Sequence, residues 1–199
     1  MKSGDVAPAP AASAAAIAAA VSVTRTIALA AIAATPALAE VAAPLVAAAL
    51  AFVSSALVFR FMERRAAAKR GAQFQSPLEL HKVGQFALLL GAVLIIGRIV
   101  GERYGQAGLI PLAATVGLGD VDAVTLAAGS LVRGGLDAAA GAHAILVAIF
   151  MNTLAKGVIG LVAGGWRFVL YYFAAGAAAG SLGVAAWFLA RQFAAPMFQ

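Results

Sequence analysis

Residues 41–59, VAAPLVAAALAFVSSALVF, contain no charged side chain. A helix of that length is about 28 Å long at about 1.5 Å per residue, close to the ~30 Å hydrocarbon core of a bilayer. Comparable apolar stretches fall at about 11–34, 83–100, 107–131, 139–163 and 168–190. Water does not solvate a fold built from such segments. The 199-residue chain is 63% hydrophobic and 11% charged, whereas soluble domains are about 25% charged. The apolar runs are continuous rather than alternating, which argues against a transmembrane β-barrel. The sequence therefore reads as an all-α integral membrane protein, a bundle of about six transmembrane helices.

Its organisation follows from the gaps between spans. Residues 1–10 form a polar leader, 11–190 a single transmembrane domain with a basic loop at 60–82, and 191–199 a short tail. IALAAIAATPALAE mimics a signal peptide with an Ala-x-Ala site ending at Ala39. Arg25 and Thr26 interrupt its apolar run, so a retained first helix is expected.

The net charge of +6 is concentrated. Arg60, Arg64, Arg65, Lys69, Arg70 and Lys82 share one loop with only Glu63 and Glu79. This is the signature of a cytoplasmic loop, with attraction to anionic lipid headgroups as a secondary role and no nucleic-acid partner. Six spans then put both termini in the cytoplasm, in agreement with Lys2 and Arg191. Glu40, Glu102, Arg103 and Arg167 would lie on the opposite face. The expected location is a bacterial inner membrane.

Several chemistries are excluded early. There is no cysteine, hence no disulfide and no thiolate metal site or nucleophile. His81 and His143 lack companion ligands at metal-binding spacing, so both read as interfacial polar residues; no metal site is assigned and no cofactor expected.

What remains are charges inside the spans: Arg25 in the first, Asp120 and Asp122 in the fourth, and Lys156 in the fifth, with Asn152 one turn before it. A charge at the centre of a spanning helix costs roughly 2.5–3.5 kcal/mol on insertion scales, so such groups meet protein or water. Counting residues from the span ends places all five near the midplane, where two acids and two bases can neutralise one another. On an unbroken helix Asp120 and Asp122 point to nearly opposite sides. A break at Gly117 and Gly119 lets Asp120 cap the second half-helix and puts Asp122 in its first turn, both favourable for carboxylates. Thr125 and opened carbonyls near the break are further oxygen ligands. Two GxxxG pairs, Gly160 with Gly164 and Gly176 with Gly180, allow close helix packing in lipid. They pack spans five and six within the chain, or join it to a second copy or another membrane subunit.

GLGD at 117–120 resembles the GxGD motif of intramembrane aspartyl proteases. Those enzymes need a second aspartate facing the first from another helix. No other span carries one centrally, Asp137 sits at the mouth of span five, and PAL at 36–38 precedes the motif. Proteolysis is the remote alternative, and the chain is not expected to be an enzyme.

SPLELHKVGQFALLLGAVLIIGRIVGERYGQAGLIPLAATVGLGDVDAVTLAAGSLV, followed by AILVAIFMNTLAKGVIGLVAGG, is similar to the domain of unknown function 4010 family of bacterial and archaeal membrane proteins. The resemblance covers roughly residues 20–165. Its most specific parts are Pro77-Leu78-Glu79-Leu80, the stretch from Gly117 to Thr125, and the run from Asn152 to Lys156. It implies that Arg25 matches an arginine in the first span of relatives. It also implies an association with MgtC/SapB-type membrane domains, and through them ion or small-solute handling. The expected function is transport at a site made of Asp120, Asp122, Thr125, Asn152, Lys156 and Arg25. The alternative is a non-transporting assembly or regulatory subunit.

Overall fold

A computed structural model describes residues 8–67 and 108–194. Five helices are present among them: α1 (Pro8–Ala33), α2 (Thr35–Ala67), α3 (Leu109–Val116), α4 (Val121–Arg133) and α5 (Ala138–Ala194). The last consists of two arms, Ala138–Val162 and Gly165–Phe193. They meet at Gly165, whose φ of 76° and ψ of 177° suit a residue without a Cβ. Both arms, and the Ala9–Ala33 and Thr35–Met62 stretches, are long and apolar enough to cross a membrane. The all-α membrane bundle is thus what the chain forms, with its fourth apolar segment broken into α3 and α4. The expected span at 83–100, most of the basic loop, and His81 lie outside the described residues.

Small side chains set how closely the helices approach. The buried positions of α1 include Ala12, Ala16, Ala19, Val23, Thr26, Ala30 and Ala33, in alternating steps of four and three. That is the spacing of a helix–helix seam, made here almost entirely of alanine. In lipid such a seam gains from dispersion rather than from excluding water. Leu45, Phe52, Ala56 and Phe59 continue the same register on α2, and Phe168, Tyr172, Ala175 and Ala179 on the second arm of α5. Across the α5 turn, the rings of Phe173 and Phe168 occupy the spaces that Gly157 and Gly160 leave open. Gly176 faces the Thr153 methyl at 3.5 Å, measured from an ideal Cβ, and nothing lies within 4 Å of such an atom on Gly180. The surroundings of Gly164 lie outside the described side chains.

Cross-contacts fix the direction of each helix. Ser13 Oγ donates to the Ala56 carbonyl at 3.0 Å, so α1 and α2 are antiparallel. Phe59 packs edge-on against Tyr171, and Arg191 meets Glu40 at 3.5 Å, so the second arm of α5 runs antiparallel to α2. Arg133 Nη1 donates to the Ala33 carbonyl, and Asp122 pairs with Arg25; α4 therefore runs parallel to α1. Two ends of the bundle result. One holds the start of α1, Phe59 and the Gly165 turn; the other holds the α1–α2 corner, Glu40, Arg133 and Arg191.

The described chain ends, Pro8 and Ala194, lie at opposite ends of the bundle. The α2 helix finishes at the Phe59 end and α5 begins at the Glu40 end; residues 68–107 between them lie outside the described residues.

Because the natural chain has no cysteine, the arrangement is directly testable with a membrane-impermeant maleimide. Thr35→Cys and Gln192→Cys should be labelled from one side of the membrane and Met62→Cys from the other; Met62 and Gln192 reacting from the same side would contradict it. Gly129 presses on the α1–α2 corner, where an added Cβ would fall 3.0 Å from the Ala34 Cβ and closer still to the Ala33 backbone. Gly129→Val should therefore destabilise by about 1–3 kcal/mol in thermal unfolding in detergent, while Gly180→Ala should be nearly neutral.

Candidate functional site at the broken helix

The break is assembled from backbone bonds. The α3 helix ends at Val116, whose carbonyl accepts from the N–H of Gly119 at 3.0 Å and of Asp120 at 2.9 Å. Asp120 then turns extended, with φ −141° and ψ 93°, and its carboxylate accepts from the Ala123 N–H at 2.9 Å. It is the N-cap of α4, satisfying one of the donors that every helix start leaves open. Gly117 contributes space rather than conformational freedom. Its φ is an ordinary −59°, but a Cβ there would lie 2.5 Å from the Ala148 Cα. The half-helices have different neighbours: α4 packs along α1 and α5, whereas α3 touches α4 and α5 and has no contact with α1.

Asp122, in the first turn of α4, places Oδ2 2.7 Å from Nη2 of Arg25. The carboxylate side chain is 24% exposed and the guanidinium side chain 63%, so the pair straddles the surface of the bundle. Asp122 Oδ1 is buried and has no hydrogen-bond partner among the described residues. Asn152 Nδ2 donates to the Leu118 carbonyl at 3.5 Å, a long contact between the first arm of α5 and the turn. One helical turn on lies Lys156. It borders a cavity of about 10 Å³ with Asn152, Thr153, Ser22 and Val121, room for about one water molecule.

The structure thus pairs Arg25 with Asp122 and sets Asn152 and Lys156 on one small cavity beside Val121. Asp120 is adjacent, exposed and used as a cap. Thr125 is buried, and its hydroxyl donates to the Val121 carbonyl at 2.9 Å within its own helix. Asp137 does not join Asp120: its carboxylate accepts from the Ala140 N–H at 3.2 Å at the start of α5. No group of three or more His, Cys, Asp and Glu side chains able to hold a metal occurs among the described residues. His143 is exposed on α5.

Sequence reasoning missed three contributors. Ser22 sits one turn before Arg25 and Thr153 beside Asn152, so helical periodicity applied to the charged residues would have found both. Arg133, in the last turn of α4, donates to a carbonyl left open where α1 ends; a basic residue near a helix C-terminus is the usual signal for such a contact. Its partner belongs to a different helix and could not be read from sequence.

Two stability measurements follow. Asp120→Ala should cost about 1 kcal/mol through the lost cap, visible in thermal unfolding. In a double-mutant cycle, Arg25→Gln and Asp122→Asn should be coupled by about 1 kcal/mol; strictly additive effects would mean that the pair contributes nothing to folding.

No curated protein and no solved structure matches the chain. A family model described as "Domain of unknown function (DUF4010)" matches residues 2–164, which include α1 to α4, the break and the first arm of α5. The chain belongs to the DUF4010 family.

Proposed function

We propose that this membrane protein transports an ion or small solute through the charged site at the α3–α4 break. The observation that carries the reading is the partly exposed Arg25–Asp122 pair, next to a small cavity where Ser22, Asn152, Thr153 and Lys156 stand among apolar neighbours. An ion pair needed only to assemble a bundle gains most when sealed, with its remaining lone pairs and protons satisfied. This one is open on the Arg25 side, and an Asp122 oxygen has no partner among the described residues. Charged groups within membrane segments commonly line substrate or ion pathways, and unwound backbone at such depth is tolerated where it is protein-buried or borders water.

Positive charge in the 60–82 loop favours the Phe59 end as cytoplasmic.

The experiment is solute flux into liposomes containing the purified chain. Arg25→Gln and Lys156→Gln should each abolish flux while leaving the detergent-solubilised protein monodisperse. The rival, a non-transporting subunit that docks a partner along the open side of Gly180, gives no flux in the wild type. It also predicts that Gly180→Leu disrupts an assembly while the charge variants do not.

A further inference from the structure

We infer that the cluster accepts a small anion, and that protonation of Asp122 makes room for it, so that anion and proton move together. This rests on the transport reading above and names the solute class and the coupling ion.

The charge inventory around Asp122 decides the sign. Arg25 comes from α1 and Lys156 from α5. The α2 residue at the cavity is the apolar Phe52, and α3, LIPLAATV, has no titratable group. The other carboxylate, Asp120, is engaged with the Ala123 N–H. Among the described residues, one cation pairs with the carboxylate and a second borders the cavity next to it. A metal cation entering here would have to displace Arg25, stand beside Lys156 and rely on a single carboxylate. The absence of any cluster of three acidic or imidazole ligands among the described residues leaves it no alternative seat.

An anion meets the opposite situation. A guanidinium has five N–H donors and an ammonium three, and the contact to Asp122 runs through one nitrogen of Arg25. Ser22, next to Arg25 on α1, borders the adjoining cavity with Lys156, and the start of α4 adds the positive end of its dipole. While Asp122 is ionised, its charge, 2.7 Å from Arg25, neutralises the guanidinium and repels an incoming anion. A proton taken from water by the Asp122 carboxylate removes that charge. The anion then replaces the carboxylate at Arg25. On the other side of the membrane the anion dissociates, the proton returns to water, and the ion pair re-forms. A monovalent anion with one proton moves no net charge.

The test uses the full chain in liposomes under an imposed pH gradient, with labelled chloride, acetate and inorganic phosphate as probes and an internal pH dye. The expected result is uptake of at least one anion, accelerated several-fold by external acid and accompanied by internal acidification. Asp122→Asn should retain anion flux and lose its dependence on the gradient. Arg25→Gln should abolish flux, and Arg25→Lys, which keeps the charge, should restore part of it, separating loss of binding from loss of folding. Anion flux indifferent to the gradient would overturn the coupling. Flux of sodium or rubidium with no anion flux would overturn this inference and leave the transport reading standing. Silence of every probe with a folded protein would overturn both.

Discussion

A helix interrupted inside lipid must find partners for the backbone groups it exposes, and the rest of this structure is arranged around meeting that demand. At the α3–α4 break the Val116 carbonyl takes two N–H groups, the Asp120 carboxylate takes a third, and the Asn152 amide reaches the Leu118 carbonyl. Water would supply such partners to a surface loop. In hydrocarbon each unmet group costs several kcal/mol, so the break survives only where neighbouring helices bring polar atoms to it. The charged cluster is a consequence of the same constraint. A carboxylate in the first turn of α4 suits the helix dipole but needs a counter-charge from elsewhere, and α1 provides it.

That requirement links the site to the packing. Arg25 reaches Asp122 because α1 and α4 run parallel and close, and closeness is a property of the alanine seam and of Gly129. Farther along the same pair of helices, Arg133 and Gly129 both engage Ala33. The short α4 is therefore tied to α1 near each end, by an ion pair at its start and by a hydrogen bond and a steric fit at its finish. A larger residue at Gly129 would push the finish away and tilt the start, so the site depends on a residue that contains no polar side-chain atom.

Much of this was legible in the sequence, and the remainder fails for identifiable reasons. Apolar run length found the four long helices, and Gly117 and Gly119 together with two carboxylates located the break. The physical role of Gly117 was different from the one expected: its backbone is helical, and what matters is the absent Cβ against Ala148. Direction was lost because hydropathy counts apolar residues without recording which way a segment runs. Residues 107–131 are as apolar as a span, and only the packing shows that α4 runs parallel to α1 and finishes beside its end. The choice among counter-charges was equally hidden. Arg25 and Lys156 are both basic and at similar depth, and only the packing of α4 on α1 decides that Arg25 is the residue in contact.

The pairing of Asp122 with Arg25 rather than Lys156 has a chemical consequence for how the site can change state. A guanidinium remains charged under any condition the protein meets, so the proton content of the pair can vary only at the carboxylate. Were Lys156 the partner, either member could neutralise and the site could become empty of charge. With Arg25 in contact, loss of the Asp122 charge always leaves a cation in need of a counter-charge, at a position where lipid offers none. The proposed exchange of the carboxylate for an anion follows from that asymmetry, because it keeps one negative charge beside a guanidinium that cannot give up its own.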